Sequence, residues 1–109
     1  MKIEDIIQTR KQAHHFYSDK SEVYRSFVNM EQATYKDSAI TKKQKELIAI
    51  GISVVINCES CMEWHIKQAL DEQASEDEIL AAIEVGIEMN GGPGTASARF
   101  AMNVLKYYK

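Results

Sequence analysis

The chain has 109 residues, 45% of them hydrophobic, enough for one domain with its own core over residues 1–109 and too few for two. Lysine plus arginine number 13 and aspartate plus glutamate 16, for a net charge of -3, and no segment gathers enough cations to form a phosphate-binding surface. Nucleic acid is therefore not an expected partner.

The opening Met1-Lys2-Ile3-Glu4-Asp5 carries acids early and leads into an amphipathic pattern, unlike a secretory signal, so a cytoplasmic protein is expected. Ile3, Ile6, Ile7, Ala13 and Phe16 begin a first helix. Val23, Phe27, Val28 and Met30 mark a second, starting near Ser21 and ending before Asp37 and Ser38. His14 and His15 are expected on the polar side of the first helix, with no role in a site.

Thr41 with Gln44 has the form of a capping box, ahead of Leu47, Ile48, Ile50, Gly51, Val54 and Val55. This third helix reads as buried over much of its circumference, and Gly51 as a close helix contact. Its apolar run, Leu47 to Ile56, is half the length needed to cross a bilayer and is interrupted by Gly51 and Ser53, so no membrane association is expected.

Asn57 supplies a break, and a fourth helix runs from about Cys58 to Gln73. Ser75 and Glu78 form the next capping box, before Ile79, Leu80, Ile83, Ile87 and Met89. A Gly91-Gly92-Pro93-Gly94 turn then admits a last helix with Phe100, Val104 and Leu105, and the small residues Ala96, Ser97 and Ala98 offer another close contact. No alternating strand pattern occurs, so the fold class is all-α, a single-domain bundle of about six helices. Trp64, Met62, Met89 and Met102 have the character of core or subunit-interface residues, and Tyr107 and Tyr108 are candidates for packing on a neighbouring subunit.

The chemistry lies in Glu46, Cys58, Cys61 and His65, spaced E-x11-C-x2-C-x3-H. A close cysteine pair in a chain without a secretory signal is redox-active or metal-binding rather than a structural staple. On a helix, Cys58, Cys61 and His65 fall within an arc of about sixty degrees. Helical i and i+3 positions hold Cβ atoms about 5 to 6 Å apart, so a disulfide here requires a tightened first turn and should be readily reduced.

Cys58 gains from the helix N-terminus, and Cys61 from His65 one turn on, which can take its proton. Glu59 and Glu63 flank the thiols and oppose their ionisation locally. If the cysteine helix folds back beside the preceding one, His65 comes within about 6 Å, along the axis, of the level of Glu46, which then orients it and raises its basicity. Zinc is the chemical competitor: two cysteines, a histidine and a carboxylate can bind it, but structural sites usually draw a second ligand pair from elsewhere, and the only other histidines are the adjacent His14 and His15.

The full string resembles the active-site motif of alkylhydroperoxidase D-like proteins in the carboxymuconolactone decarboxylase superfamily. The resemblance extends to Lys45-Glu46-Leu47-Ile48-Ala49, Ser75-Glu76-Asp77-Glu78-Ile79 and Met89-Asn90-Gly91-Gly92-Pro93, covering roughly residues 40 to 105. It implies an all-helical fold assembling into homo-oligomers, trimers or hexamers, whose cysteine pair reduces hydroperoxides and is re-reduced by a protein dithiol donor. By that resemblance Cys58 and Cys61 are the redox pair and His65 and Glu46 the proton relay, with no cofactor or metal. Peroxidase-type members carry a second histidine between the cysteines, where this chain has Ser60, and a glycine near the end of the cysteine helix, where it has Glu72-Gln73-Ala74. The decarboxylase branch lacks the cysteine pair. The expected activity is thiol-dependent hydroperoxide reduction; the alternatives are protein disulfide exchange without peroxidase activity and a zinc-binding structural module.

Overall fold

The structure, a computed structural model, describes residues 2–109. Six helices follow in order: α1 (Lys2–Lys20), α2 (Glu22–Thr34), α3 (Lys42–Val55), α4 (Glu59–Asp71), α5 (Glu76–Asn90) and α6 (Gly92–Tyr108), with no strand among the described residues. The all-α reading therefore holds. No described helix is long and apolar enough to cross a membrane.

Both capping boxes form. The Gln44 amide donates to Thr41 Oγ1 at 3.1 Å and the Thr41 amide to Gln44 Oε1 at 2.8 Å, with the same reciprocal pair between Ser75 and Glu78. The Ser75 amide, reinforced by Lys43, holds the partly exposed Glu78 carboxyl below its ordinary range.

Helix α3 packs against α4 and α5, and α6 closes the bundle against α4 and α5. Ile50, Val54, Met62, Ile66, Ile79 and Val104 have no exposed surface, and α1 adds Ile3 and Ile7 to this core. Removing them from water supplies the main drive for the helices to associate. Helix α2 buries no residue: Val23, Phe27 and Met30, which announced it in the sequence, are all exposed. Its register is set by Ser21, whose hydroxyl accepts from the Tyr24 amide at 3.0 Å.

Helices α3 and α5 approach closely through glycines. A Cβ on Gly51 would meet the Ala82 carbonyl oxygen at 3.2 Å, and one on Gly86 would meet the Gly51 carbonyl oxygen at 2.7 Å and Val54 Cβ at 2.8 Å. Alanine's better helix propensity, about 1 kcal/mol, is outweighed where backbone must move. Gly86→Ala is expected to lower stability by about 1–3 kcal/mol in urea unfolding; an unchanged midpoint would show that α5 shifts freely.

Several expectations are corrected. Helix α3 is covered over much of its circumference, as expected, but one stripe stays open: Ile48, Ile52 and Val55 are 54%, 54% and 36% exposed and, with Val85 and Met89 of α5, line an apolar groove of about 670 Å³. Of the residues read as core or subunit-interface, Met62 is buried and Trp64 half-buried, while Met89 and Met102 lie outside the core on the exposed surface of the chain. The glycine-proline turn shrinks to Gly91, at φ 71°, because Gly92, Pro93 and Gly94 already form the first turn of α6, where a proline's missing amide costs nothing. Among the small residues 96–98, Ser97 is the buried one, and its hydroxyl donates to Asn57 Oδ1 at 2.8 Å. Tyr107 and Tyr108 donate within this chain, to Glu4 and Glu63.

Candidate functional site

The site is built where α3 ends and α4 begins. The Cys58 amide donates to the Ser53 carbonyl at 3.0 Å and the Asn57 amide to the Val54 carbonyl at 3.3 Å, with Asn57 at φ 52°, which together make a Schellman closure. Asparagine tolerates this left-handed conformation better than most residues, so the chain reverses here and α4 runs back along α3. The same closure ends α4: the Ala74 amide reaches the Ala69 carbonyl, and Gln73 sits at φ 68° where the resembled family has glycine nearby.

Cys58 is not in the helix, contrary to the expected start. It is the N-cap of α4, with extended backbone, and its sulfur accepts from the Cys61 amide at 3.1 Å. The two cysteines are joined as a disulfide with Cα atoms 5.2 Å apart, inside the ordinary range. A tightened first turn is unnecessary because an N-cap residue lies off the helical path. Both cysteines are partly exposed and Ser60 between them is exposed.

Glu46 and His65 meet as the folded-back geometry requires. His65 Nδ1 lies 2.7 Å from Glu46 Oε1, and Glu46 is 1% exposed. Burial alone would raise this carboxyl, but hydrogen bonds from His65 and from Lys42, whose Nζ is 2.7 Å from Oε2, outweigh it and hold the group below its ordinary range. An ionised carboxylate only accepts, so Nδ1 carries hydrogen and Nε2 is left as the basic nitrogen. His65 is one helical turn beyond Cys61, as Lys42 is one turn before Glu46.

Two residues of this cluster escaped the sequence reading. Lys42 left a signal, its i,i+4 spacing to Glu46. Tyr35 left none: it caps α2, and its ring lies against His65 with centroids 5.3 Å apart and planes inclined by 31°. Lys45 Nζ pins the segment by donating to the carbonyls of Thr34 and Lys36 on either side of Tyr35.

Glu63 corrects another expectation. Rather than bearing on the thiols, its carboxylate is fully buried at the junction of α1, α4 and α6, where it faces Arg10 Nη1 at 3.3 Å and accepts from Tyr108. Arg10 in turn lies over the Trp64 ring, 4.8 Å from its centroid. Burial first, and then the Glu63 acceptor, push the Tyr108 hydroxyl up, so it remains a donor. Glu59 pairs with Lys2 Nζ at 2.8 Å.

His14 and His15 are exposed on α1, His14 Nδ1 lying 2.8 Å from the Tyr24 hydroxyl oxygen. Among the described residues no three histidine, cysteine, aspartate or glutamate side chains are grouped to hold a metal ion. Beside Ser60 opens a cleft of about 610 Å³, lined also by Ile6, Thr9, Arg10, Ala13 and Tyr24.

The profile of the carboxymuconolactone decarboxylase family matches residues 21–104. An uncharacterized protein encoded in the cox locus of Paracoccus denitrificans is 36% identical over 80 residues, 73% of this chain and 72% of that one. A second, from Cupriavidus necator, is 32% identical over 83 residues, 76% of this chain and 71% of that one. The crystal structure of a carboxymuconolactone decarboxylase family protein from Legionella pneumophila superposes with a TM-score of 0.89 at 30% identity, covering 98% of this chain and 96% of that one. A family member from Thermotoga maritima shares the fold, with a TM-score of 0.87 at 24% identity over 95% of this chain and 89% of that one.

Proposed function

The chain belongs to the carboxymuconolactone decarboxylase family, and on that premise we propose that it is a thiol-dependent hydroperoxide reductase whose Cys58 and Cys61 cycle between dithiol and disulfide. The family includes decarboxylases and alkylhydroperoxidase D-like peroxidases. One juxtaposition carries the reading: a disulfide-bonded pair at the head of α4, with a carboxylate-oriented imidazole one turn beyond its second sulfur.

In the reduced form His65 Nε2 takes the Cys61 proton, and the thiolate attacks a hydroperoxide oxygen. The O–O bond breaks, the departing oxygen collects the proton from the imidazolium and leaves as alcohol, and Cys61 becomes a sulfenic acid. Cys58, whose thiolate is favoured at the helix N-terminus, attacks that sulfur and releases water, closing the disulfide. A protein dithiol donor then restores both thiols. Glu46 stays ionised throughout and keeps Nδ1 protonated.

The cleft beside Ser60 supports a route of approach, its partly apolar wall suiting an organic hydroperoxide. Assembly into a trimer or hexamer belongs to the same reading, supported by the apolar groove between α3 and α5, as do residues 1–109 acting as one domain in the cytoplasm.

With cumene hydroperoxide as oxidant and dithiothreitol as reductant, Cys61→Ser is expected to fall to the uncatalysed rate. Cys58→Ser is expected to leave a Cys61 sulfenic acid that dimedone traps. Peroxide turnover unchanged in both variants would remove the proposal. Loss of disulfide exchange alone, with peroxide untouched by the parent protein, would instead favour a disulfide oxidoreductase acting on another protein.

A further inference from the structure

We propose that Lys42 is a positioning residue that sets the protonation balance of His65 through their shared carboxylate, Glu46, an inference that rests on the redox reading above. Each Glu46 oxygen has one partner: Oε1 the imidazole Nδ1, and Oε2 the Lys42 ammonium, both at 2.7 Å. The carboxylate is almost wholly out of water, so these two groups dominate its environment.

A buried carboxylate with only an imidazole for company favours the imidazolium, and an imidazolium cannot accept a thiol proton. Lys42 changes that balance in two ways. Its fixed positive charge neutralises much of the Glu46 charge, weakening the pull on a second cation. It also supplies the hydrogen bond that keeps Glu46 ionised, so the carboxylate still orients Nδ1 without holding the ring doubly protonated. His65 is thus oriented as a base and left free to act as one.

The surroundings offer no substitute for this cation. His65 faces Glu46 and Lys42 from α3, Tyr35 with Glu31 behind it from the end of α2, and Cys61 on its own helix. Lys45 is occupied by the carbonyls of Thr34 and Lys36, and Lys67 by Asp71, at 2.6 Å and 2.7 Å. Tyr35 is a neutral neighbour of both groups: its ring lies against His65, Lys42 Nζ stands 5.8 Å from the ring centroid, and burial followed by the charges of Glu46 and Glu31 pushes its hydroxyl up.

The test is the titration of the His65 ring protons by NMR in the oxidised protein, where no thiol ionises, with the exposed His14 and His15 as internal references. Relative to the parent protein, Lys42→Met is expected to raise the His65 midpoint by about half to one pH unit, the half-exposed lysine giving less than a buried one. Lys42→Arg is expected to restore it, and Lys42→Gln to behave as Lys42→Met. In the reduced protein the acid limb of Cys61 alkylation by iodoacetamide should move in the same direction. An unchanged His65 midpoint in both Lys42→Met and Lys42→Gln overturns the inference. Because that titration uses neither peroxide nor free thiols, a failed peroxidase assay does not bear on it, nor an unmoved midpoint on the peroxidase reading.

Discussion

His65→Ala is expected to slow oxidation of the reduced protein by cumene hydroperoxide by about 10²–10⁴-fold at neutral pH, the usual contribution of a positioned general base. Only the thiolate attacks, and a thiol without a neighbouring base is mostly protonated at neutral pH, so the variant lacks both the group that forms its nucleophile and a proton to offer the departing oxygen. The deficit should narrow as pH rises past about 9, where hydroxide does the work of the imidazole. Glu46→Gln preserves shape but removes the charge that fixes the Nδ1–H tautomer and strands Lys42 over a neutral amide. Its loss should be smaller than that of His65→Ala, and the double variant should be no slower than His65→Ala alone, because the two residues act as one unit. Stopped-flow rates across pH decide this; additive losses would mean that Glu46 acts elsewhere.

Glu46 also links the site to stability. A carboxyl held below its ordinary range in the folded chain stabilises it at pH values above that range, and the contribution is lost as pH falls through the lowered folded value. The stability gap between parent and Glu46→Gln should therefore be full at neutral pH and close in strong acid.

Glu63→Ala is expected to destabilise the fold by about 3 kcal/mol, the lower end for breaking a buried ion pair, because the Arg10 side chain keeps 24% of its exposure. The carboxylate has no exposed surface, and its loss strands the guanidinium, removes the acceptor of the Tyr108 hydroxyl and leaves a hole among α1, α4 and α6. Replacing both partners, as Glu63→Leu with Arg10→Met, should recover most of the loss, since well-packed apolar pairs often match buried ion pairs. Denaturant unfolding of the single and the double variant measures this. A Glu63→Ala cost under about 1 kcal/mol would show that the network is solvated. The thiol chemistry should be unaffected, which separates this buried glutamate from Glu46.

Those two glutamates show how far the sequence could be read. Glu46 was legible because a fixed spacing to the cysteines and histidine accompanied it, and because a turn at Asn57 was enough to bring α4 back beside α3. Helix ends were legible wherever local chemistry sets them, as at Thr41 with Gln44 and Ser75 with Glu78. Glu63 was not legible: its partners lie 53 residues before it and 45 after, and only the packing of three helices brings them together. The placement of Cys58 turned on a single residue, since an N-cap and a first helical position look alike in sequence while their sulfurs point differently. Burial was the hardest property to read. An apolar face is compatible with a core or with a groove open on the isolated chain, and α3 carries both, with Ile50 and Val54 inside and Ile48 and Ile52 outside.

The most direct measurement is a single turnover. Fully reduced protein is mixed with one equivalent of cumene hydroperoxide per chain, and free thiols, remaining peroxide and intact mass are followed together. The proposed chemistry predicts that both thiols disappear as the peroxide is consumed, that the mass falls by two hydrogens, and that digestion yields Cys58 and Cys61 on a linked peptide. Peroxide left intact beside two titratable thiols would contradict it.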